Sequence, residues 1–252
     1  MQDRLDVGGV IRKVWHIYVE EASVLMPAAA GVFVVTGIIA ALLASSGSVG
    51  GLLIAEVIVI VAGMLFTAMV VELVADVQDG RRDSTSGQLL RAAAPFLGQL
   101  IGVGLIAAFA IVIGLFAFVI PGLILITIWS VFVPVIVLER RPGLSSLGRS
   151  RELVRGNGWQ VFGVLLVLFV LVGLLSAVIE GAAASAGTGV GIVVRVVVGV
   201  LTAPFSALAS SVVYFELLRL SGARPQAQAP PPAAAGPPPP PAGDQPNPFG
   251  SP

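Results

Sequence analysis

Six long apolar runs, divided by short polar or small-residue stretches, dominate the chain. They run from Val24 to Ala44, Leu52 to about Val77, and Leu97 to Val119, then through a fourth ending at Leu138, Val161 to Ile179, and Val190 to about Leu218. Each approaches or exceeds the ~20 residues a helix needs to cross ~30 Å of hydrocarbon. The turn Ser45-Ser46-Gly47-Ser48-Val49-Gly50-Gly51 joins the first two, Pro121-Gly122 separates the third from the fourth, and small residues from Gly181 to Gly189 join the last two. The pattern predicts an all-α polytopic membrane protein with six transmembrane helices arranged as three hairpins. The first run is too long, and its front too mixed in charge, for a cleaved signal peptide, so it reads as a membrane helix.

A short, partly amphipathic segment precedes each hairpin, the third less cleanly so than the others. Val7, Val10, Ile11, Val14 and Tyr18 share one helical face, with Asp6, Arg12, Lys13, His16 and Glu20 mostly elsewhere. Trp15 and Tyr18 fit aromatic anchors in the headgroup layer. Thr85-Ser86-Gly87-Gln88 fits a capping box that starts a helix through Leu97. Arg81-Arg82 followed by Gln99-Leu100-Ile101-Gly102-Val103 echoes Arg140-Arg141 followed by Gln160-Val161-Phe162-Gly163-Val164. This internal similarity predicts three copies of one cytoplasmic interfacial helix plus hairpin, although any basic loop facing inward has a similar look. Three regions result: residues 1–23 as an N-terminal amphipathic segment, 24–220 as the transmembrane domain, and 221–252 as a tail. The tail holds twelve of the eighteen prolines. It has too little apolar surface for a core, so it reads as disordered and polyproline-like, a solvated spacer or a docking segment.

Composition narrows the class. Hydrophobic residues make up 56% and charged residues 11%, with a mean hydropathy of +0.99, against roughly 25% charged in a soluble domain. The zero formal net charge makes no case for nucleic acid, and the absence of cysteine removes disulfides, thiolate metal sites and thiol nucleophiles. Thirteen of the fourteen cations fall on one side of the predicted spans, Arg195 being the exception. Lys and Arg stay cytoplasmic, so both termini are expected there. Arginine far outnumbers lysine amid abundant Ala, Gly, Val and Pro, which places the chain in a bacterial plasma membrane.

Ionisable groups inside a membrane are costly and mark sites. Glu56, Glu180 and Arg195 are three such groups, all toward the outer face, and Arg195 is expected to form an intramembrane ion pair with Glu56 or Glu180. Glu72, Asp76 and Glu216 sit at cytoplasmic span ends, where water or loop arginines meet them. Span six carries Arg195, Gly199, Thr202, Ser206 and Ser210 at helical spacing, a polar stripe that suits either helix packing or a polar path. Thr127, Ser130 and Pro134 share a face of span four. Gly98/Gly102 and Gly187/Gly191 fit the small-xxx-small pattern. Trp159 stands as an interfacial anchor at the start of span five. A single histidine, His16, leaves no two-histidine metal site and no Ser-His-Asp set, and no Gly-Lys-Ser/Thr phosphate loop is present. Neither catalytic residues nor a cofactor or metal are expected.

One stretch resembles a known group. Val133-Pro134-Val135-Ile136-Val137-Leu138-Glu139, followed by Leu147-Gly148-Arg149-Ser150-Arg151-Glu152-Leu153-Val154-Arg155-Gly156-Asn157-Gly158-Trp159-Gln160-Val161-Phe162-Gly163, is similar to bacterial membrane proteins grouped with the glycerophosphoryl diester phosphodiesterase membrane domain. The N-terminal helix leading to Leu25-Met26-Pro27 is similar too. The resemblance implies a membrane module and brings no functional residues with it. Phosphodiesterases of that type work through a separate soluble barrel with histidine and acidic metal ligands, which this chain lacks. Two functional readings follow. In the first, a non-enzymatic membrane module organises or assists a partner, touching membrane lipids and a protein through its basic cytoplasmic loops or Pro-rich tail. In the second, a small transporter or permease-like protein uses a polar path near Arg195, Glu56 and Ser206.

Overall fold

A computed structural model describes residues 4–80, 85–183 and 187–222. Arg81-Arg82 and nearly all of the Pro-rich tail lie outside the described residues. The chain forms α1 (Val7–Glu20), α2 (Ala22–Ala44), α3 (Val49–Gln78), α4 (Ser86–Ala93), α5 (Leu97–Ala117), α6 (Val119–Ile128), α7 (Phe132–Glu139), α8 (Ser145–Val154), α9 (Gly158–Ala183) and α10 (Thr188–Ser221), with no strand among the described residues. A short 3-10 turn, Ala94–Phe96, joins α4 to α5. Six stretches are long and apolar enough to cross a membrane: α2, α3, α4 through α5, α6 through α7, α9, and α10. Hydrocarbon offers backbone groups no partner, so these runs become helices. The chain is a multi-pass integral membrane protein.

Consecutive spans pack together as α2 with α3, α5 with α6, and α9 with α10, and α10 also lies against α3 and α2. The two ends of the bundle differ. At the end carrying Arg12, Lys13, Arg141, Arg149 and Arg219, here called the basic end, Phe66 to Val74, Val133 to Val137 and Ala207 to Leu218 contribute most of the core. The short helices fill in around them. α1 buries Val10, Val14 and Ile17, α4 buries Leu89 and Ala93, and α8 buries Leu147, Leu153 and Val154. Toward the opposite end the apolar side chains face outward, as with Ile38, Leu53, Ile113 and Leu174.

The capping box forms as the sequence predicts, Gln88 Oε1 accepting the Thr85 N–H at 2.7 Å and its hydroxyl at 2.9 Å. The boundary between the third and fourth spans differs from expectation. The helix breaks at Phe118, in extended backbone, and resumes at Val119. Pro121 therefore falls within the first turn of α6, where its missing N–H leaves no intrahelical bond unmade. Gly122 is what the junction requires, because a Cβ there would lie 2.7 Å from the Leu115 backbone nitrogen. Among the described residues the two small-xxx-small pairs meet no close neighbour: a Cβ added at Gly98, Gly102, Gly187 or Gly191 finds none of them within 4 Å. Close contacts occur instead at Gly104 against Met64 and at Gly37 against Val196.

The fourth span is interrupted between α6 and α7, and the sequence explains how the break is tolerated. Phe132 donates its N–H to Trp129, three residues back, at 3.2 Å, which deprives the Ile128 carbonyl of its usual donor. Pro134 has no N–H, which deprives the Ser130 carbonyl in the same way. Two hydroxyls from other helices fill these vacancies. Ser150 Oγ of α8 donates to Ile128 at 2.8 Å, and Ser210 Oγ of α10 donates to Ser130 at 2.7 Å. Ser210→Ala is therefore expected to cost roughly 0.6–1.7 kcal/mol, the range for hydrogen bonds between membrane helices. The loss should shrink in a Pro134→Ala background, where a backbone N–H at position 134 reaches the same carbonyl. A double-mutant unfolding cycle measures this, and additive losses would rule the account out.

Candidate functional site

The densest polar constellation gathers at the basic end around Glu139, the last residue of α7. Its side chain is 0% exposed. Arg149 Nε of α8 lies 3.0 Å from Glu139 Oε2 and 3.2 Å from Oε1. Arg141 Nε reaches Oε2 at 3.2 Å, and the Tyr214 hydroxyl of α10 donates to Oε1 at 3.2 Å. Arg149 is itself only 15% exposed and turns a second nitrogen toward Glu152 at 3.4 Å.

Local backbone geometry makes this convergence possible. Arg140 caps α7 in the left-handed region at φ 49°, a conformation that costs a non-glycine residue roughly 1–2 kcal/mol. It reverses the chain so that Arg141 turns back onto the carboxylate, while the Arg141 carbonyl accepts from Gln99 Nε2 of α5. Gly143, at φ 54°, makes the second left-handed step into α8. α8 then packs against α7, α6 and α10, and Ser150 bonds to Ile128 as described. One carboxylate thus ties α7, the loop, α8 and α10 together. A buried anion held by two guanidiniums and a phenol is fully engaged in these contacts.

The residues singled out in the sequence fall elsewhere. Arg195 Nε lies 3.7 Å from Glu180 Oε2, but the arginine side chain is 80% exposed, so the pair sits on the outside of α9 and α10. Glu56 is exposed on α3. The polar stripe does not act as a unit. Thr202 bonds back to Val198 at 2.7 Å, Ser206 bonds back to Ala203 at 3.0 Å while exposed, and of the stripe's hydroxyls only that of Ser210 crosses to another helix. Thr127 likewise bonds to its own helix at Leu123, at 2.8 Å. Among the described residues, Ser130 Oγ is the buried side-chain polar atom without a partner. The depression between Val24, Leu25, Phe66, Met69, Val70 and Leu89 is apolar and leaves no room for a water molecule. No group of three or more His, Asp or Glu among the described residues is placed to hold a metal.

The expected anchors form two aromatic groups. Tyr18 stacks on Phe205 with centroids 4.2 Å apart and Trp15 on Phe205 at 6.0 Å, while the Tyr18 hydroxyl donates to the Leu201 carbonyl at 3.2 Å. Burial raises the Tyr18 pKa above its ordinary value. Trp159 is 83% exposed and meets Phe162 edge-on at the start of α9.

Residues 90–219 match the family described as Domain of unknown function (DUF8558). The chain belongs to this family. The segment matching DUF8558 begins within α4 and runs almost to the end of α10, so it contains Glu139, Arg141, Arg149 and Tyr214 together with both hydroxyl donors to the broken span. α1 to α3 lie before it. No curated protein and no solved structure matches the chain.

Sequence reasoning missed the Glu139 centre. An acid at the end of an apolar run, followed by an Arg-Arg pair, reads as a solvated span end. The readable signal was the placement of further arginines in a segment that also has helical spacing of Leu147, Leu153 and Val154.

Proposed function

We propose that this protein is a non-enzymatic module of a bacterial plasma membrane that organises or assists a partner. In this reading the basic end and both termini face the cytoplasm, the spans form three hairpins, and α1, α4 and α8 are short helices at the membrane interface. The partner is met by the basic loops or by the Pro-rich tail, 221–252. The resemblance to the membrane module grouped with glycerophosphoryl diester phosphodiesterases agrees with a role as a support carrying no chemistry of its own.

The observation that carries this reading is where the polar groups of the bundle are directed. Glu139, Ser150 and Ser210 hold helices to one another, Thr127 and Thr202 bond to their own helices, and Arg195, Glu56 and Ser206 lie on exposed surfaces. The transporter reading needs the last three around a common wet interior. Its strongest support is now the interrupted fourth span with the open Ser130 hydroxyl, since broken helices line the sites of many transporters.

Thiol accessibility separates the two, and the absence of native cysteine gives a background-free probe. Single cysteines at Thr127, Gly199 and Ser210, with Ser48 as an exposed control, are treated with a membrane-impermeant reagent from each side. The module reading expects Ser48→Cys to label from the outside and the other three to stay silent. Labelling at Thr127→Cys or Ser210→Cys would mean that water reaches the interior, and the transporter reading would replace it.

A further inference from the structure

We propose that the corner formed by α8 and the start of α9 is a binding site for the headgroup of an anionic phospholipid. The inference rests on the reading that the basic end lies at a membrane face.

α8 is fixed in rotation by its inward contacts, Arg149 to Glu139 and Ser150 to Ile128. Arg151, on the helix, and Arg155, which caps it, are four residues apart and both exposed; that spacing makes side chains neighbours on a helical surface. The Leu5 N–H donates to Asn157 Oδ1 at 3.3 Å, which brings the exposed Arg4 to the same corner. Among the described residues, none of these three arginines has a carboxylate partner, and the neighbouring Glu152 is engaged by Arg149. The result is a local excess of positive charge on a rigid support. Guanidinium groups bind phosphate through paired N–H donors.

The apolar half of the surface favours a lipid over a soluble phosphate. Trp159, 83% exposed, stands at the first turn of α9 directly after the arginines. Beyond it Leu166, Phe169 and Val170 continue as an exposed apolar face. Phosphate seated on Arg151 and Arg155 leaves acyl chains to run along α9, with the indole at the boundary between polar and apolar layers.

The test titrates purified, delipidated protein in a neutral detergent with phosphatidylglycerol or phosphatidylcholine and counts bound lipid by native mass spectrometry. Wild type is expected to prefer phosphatidylglycerol. The Arg151→Gln/Arg155→Gln double variant is expected to lose about 25-fold in affinity for it, at roughly fivefold per arginine near an anionic surface, with phosphatidylcholine binding unchanged. Arg219→Gln, whose side chain pairs with Glu216, should behave as wild type. Equal binding of both lipids by wild type, or an unchanged preference in the double variant, would overturn the proposal. So would displacement of phosphatidylglycerol by millimolar inorganic phosphate, which would make the ligand a free anion. Membrane placement is checked separately: labelling of Ser145→Cys from the same side as Ser48→Cys would remove the basis of the inference whatever the titration gives.

Discussion

Glu139→Ala should lower the unfolding temperature of the detergent-purified protein more than any other single removal of a charge. The substitution leaves the Arg149 guanidinium, 15% exposed, with Glu152 as its remaining acid, and takes the common acceptor from Arg141 and Tyr214. Removing one partner of a buried ion pair typically costs about 3–5 kcal/mol, because the remaining charge keeps its desolvation penalty without compensation. At roughly 2–4 °C per kcal/mol for a chain of this size, the midpoint should fall by about 10 °C. Glu216→Ala provides the contrast. Glu216 is itself 21% exposed, but its partner Arg219 is 71% exposed, so water screens the pair and takes up the arginine when the acid is lost, and the pair contributes about 1 kcal/mol. If the two variants melt at the same temperature, Glu139 does not hold the basic end together. Tyr214→Phe belongs between them, losing one hydrogen bond to a charged acceptor, about 1.5–3 kcal/mol.

Gly122→Val should be the most damaging change in the apolar half of the molecule. A Cβ at position 122 would sit 2.7 Å from the Leu115 backbone nitrogen and closer still to the Leu115 side chain. Backbone cannot step aside as the end of a flexible side chain can, so α5 and α6 must separate. Overpacking of this kind costs about 1–3 kcal/mol, and a wider α5–α6 junction should also reduce the monodisperse fraction on size exclusion. Gly98→Val adds the same side chain to α5 where nothing lies within 4 Å, and should change neither quantity appreciably. Equal behaviour of the two variants would mean that the Phe118 junction is looser than its geometry implies.

The spans were legible because crossing hydrocarbon demands long uninterrupted apolar runs, a requirement that little else in a chain imitates. The start of α4 was legible for a local reason, since Thr85 and Gln88 answer each other's hydrogen-bonding needs within one turn. The Phe118 break was misplaced because Pro-Gly is ordinarily a turn signal, whereas here the proline opens a helix and the glycine admits a neighbour. Glu139 was hidden for a different reason. Its partners lie ten and 75 residues away at Arg149 and Tyr214, and only the reversal at Arg140 with the docking of α8 brings them in. The stripe on α10 illustrates the converse. Regular spacing placed Thr202, Ser206 and Ser210 along one helix, but spacing does not say whether a hydroxyl bonds to its own carbonyl or to another helix.

The two hydroxyls that complete the broken fourth span come late in the chain. Ser150 follows its acceptor by 22 residues and Ser210 follows Ser130 by 80. During synthesis, therefore, the fourth span leaves the ribosome with two carbonyls that its own sequence cannot satisfy, and the second stays open until the sixth span has been made. Until then the segment has reason to linger beside the insertion machinery or to hold water at its bend. Truncations ending before Ser210 should accordingly be poor substrates for stable integration and good ones for membrane proteases, although every residue of the fourth span is present.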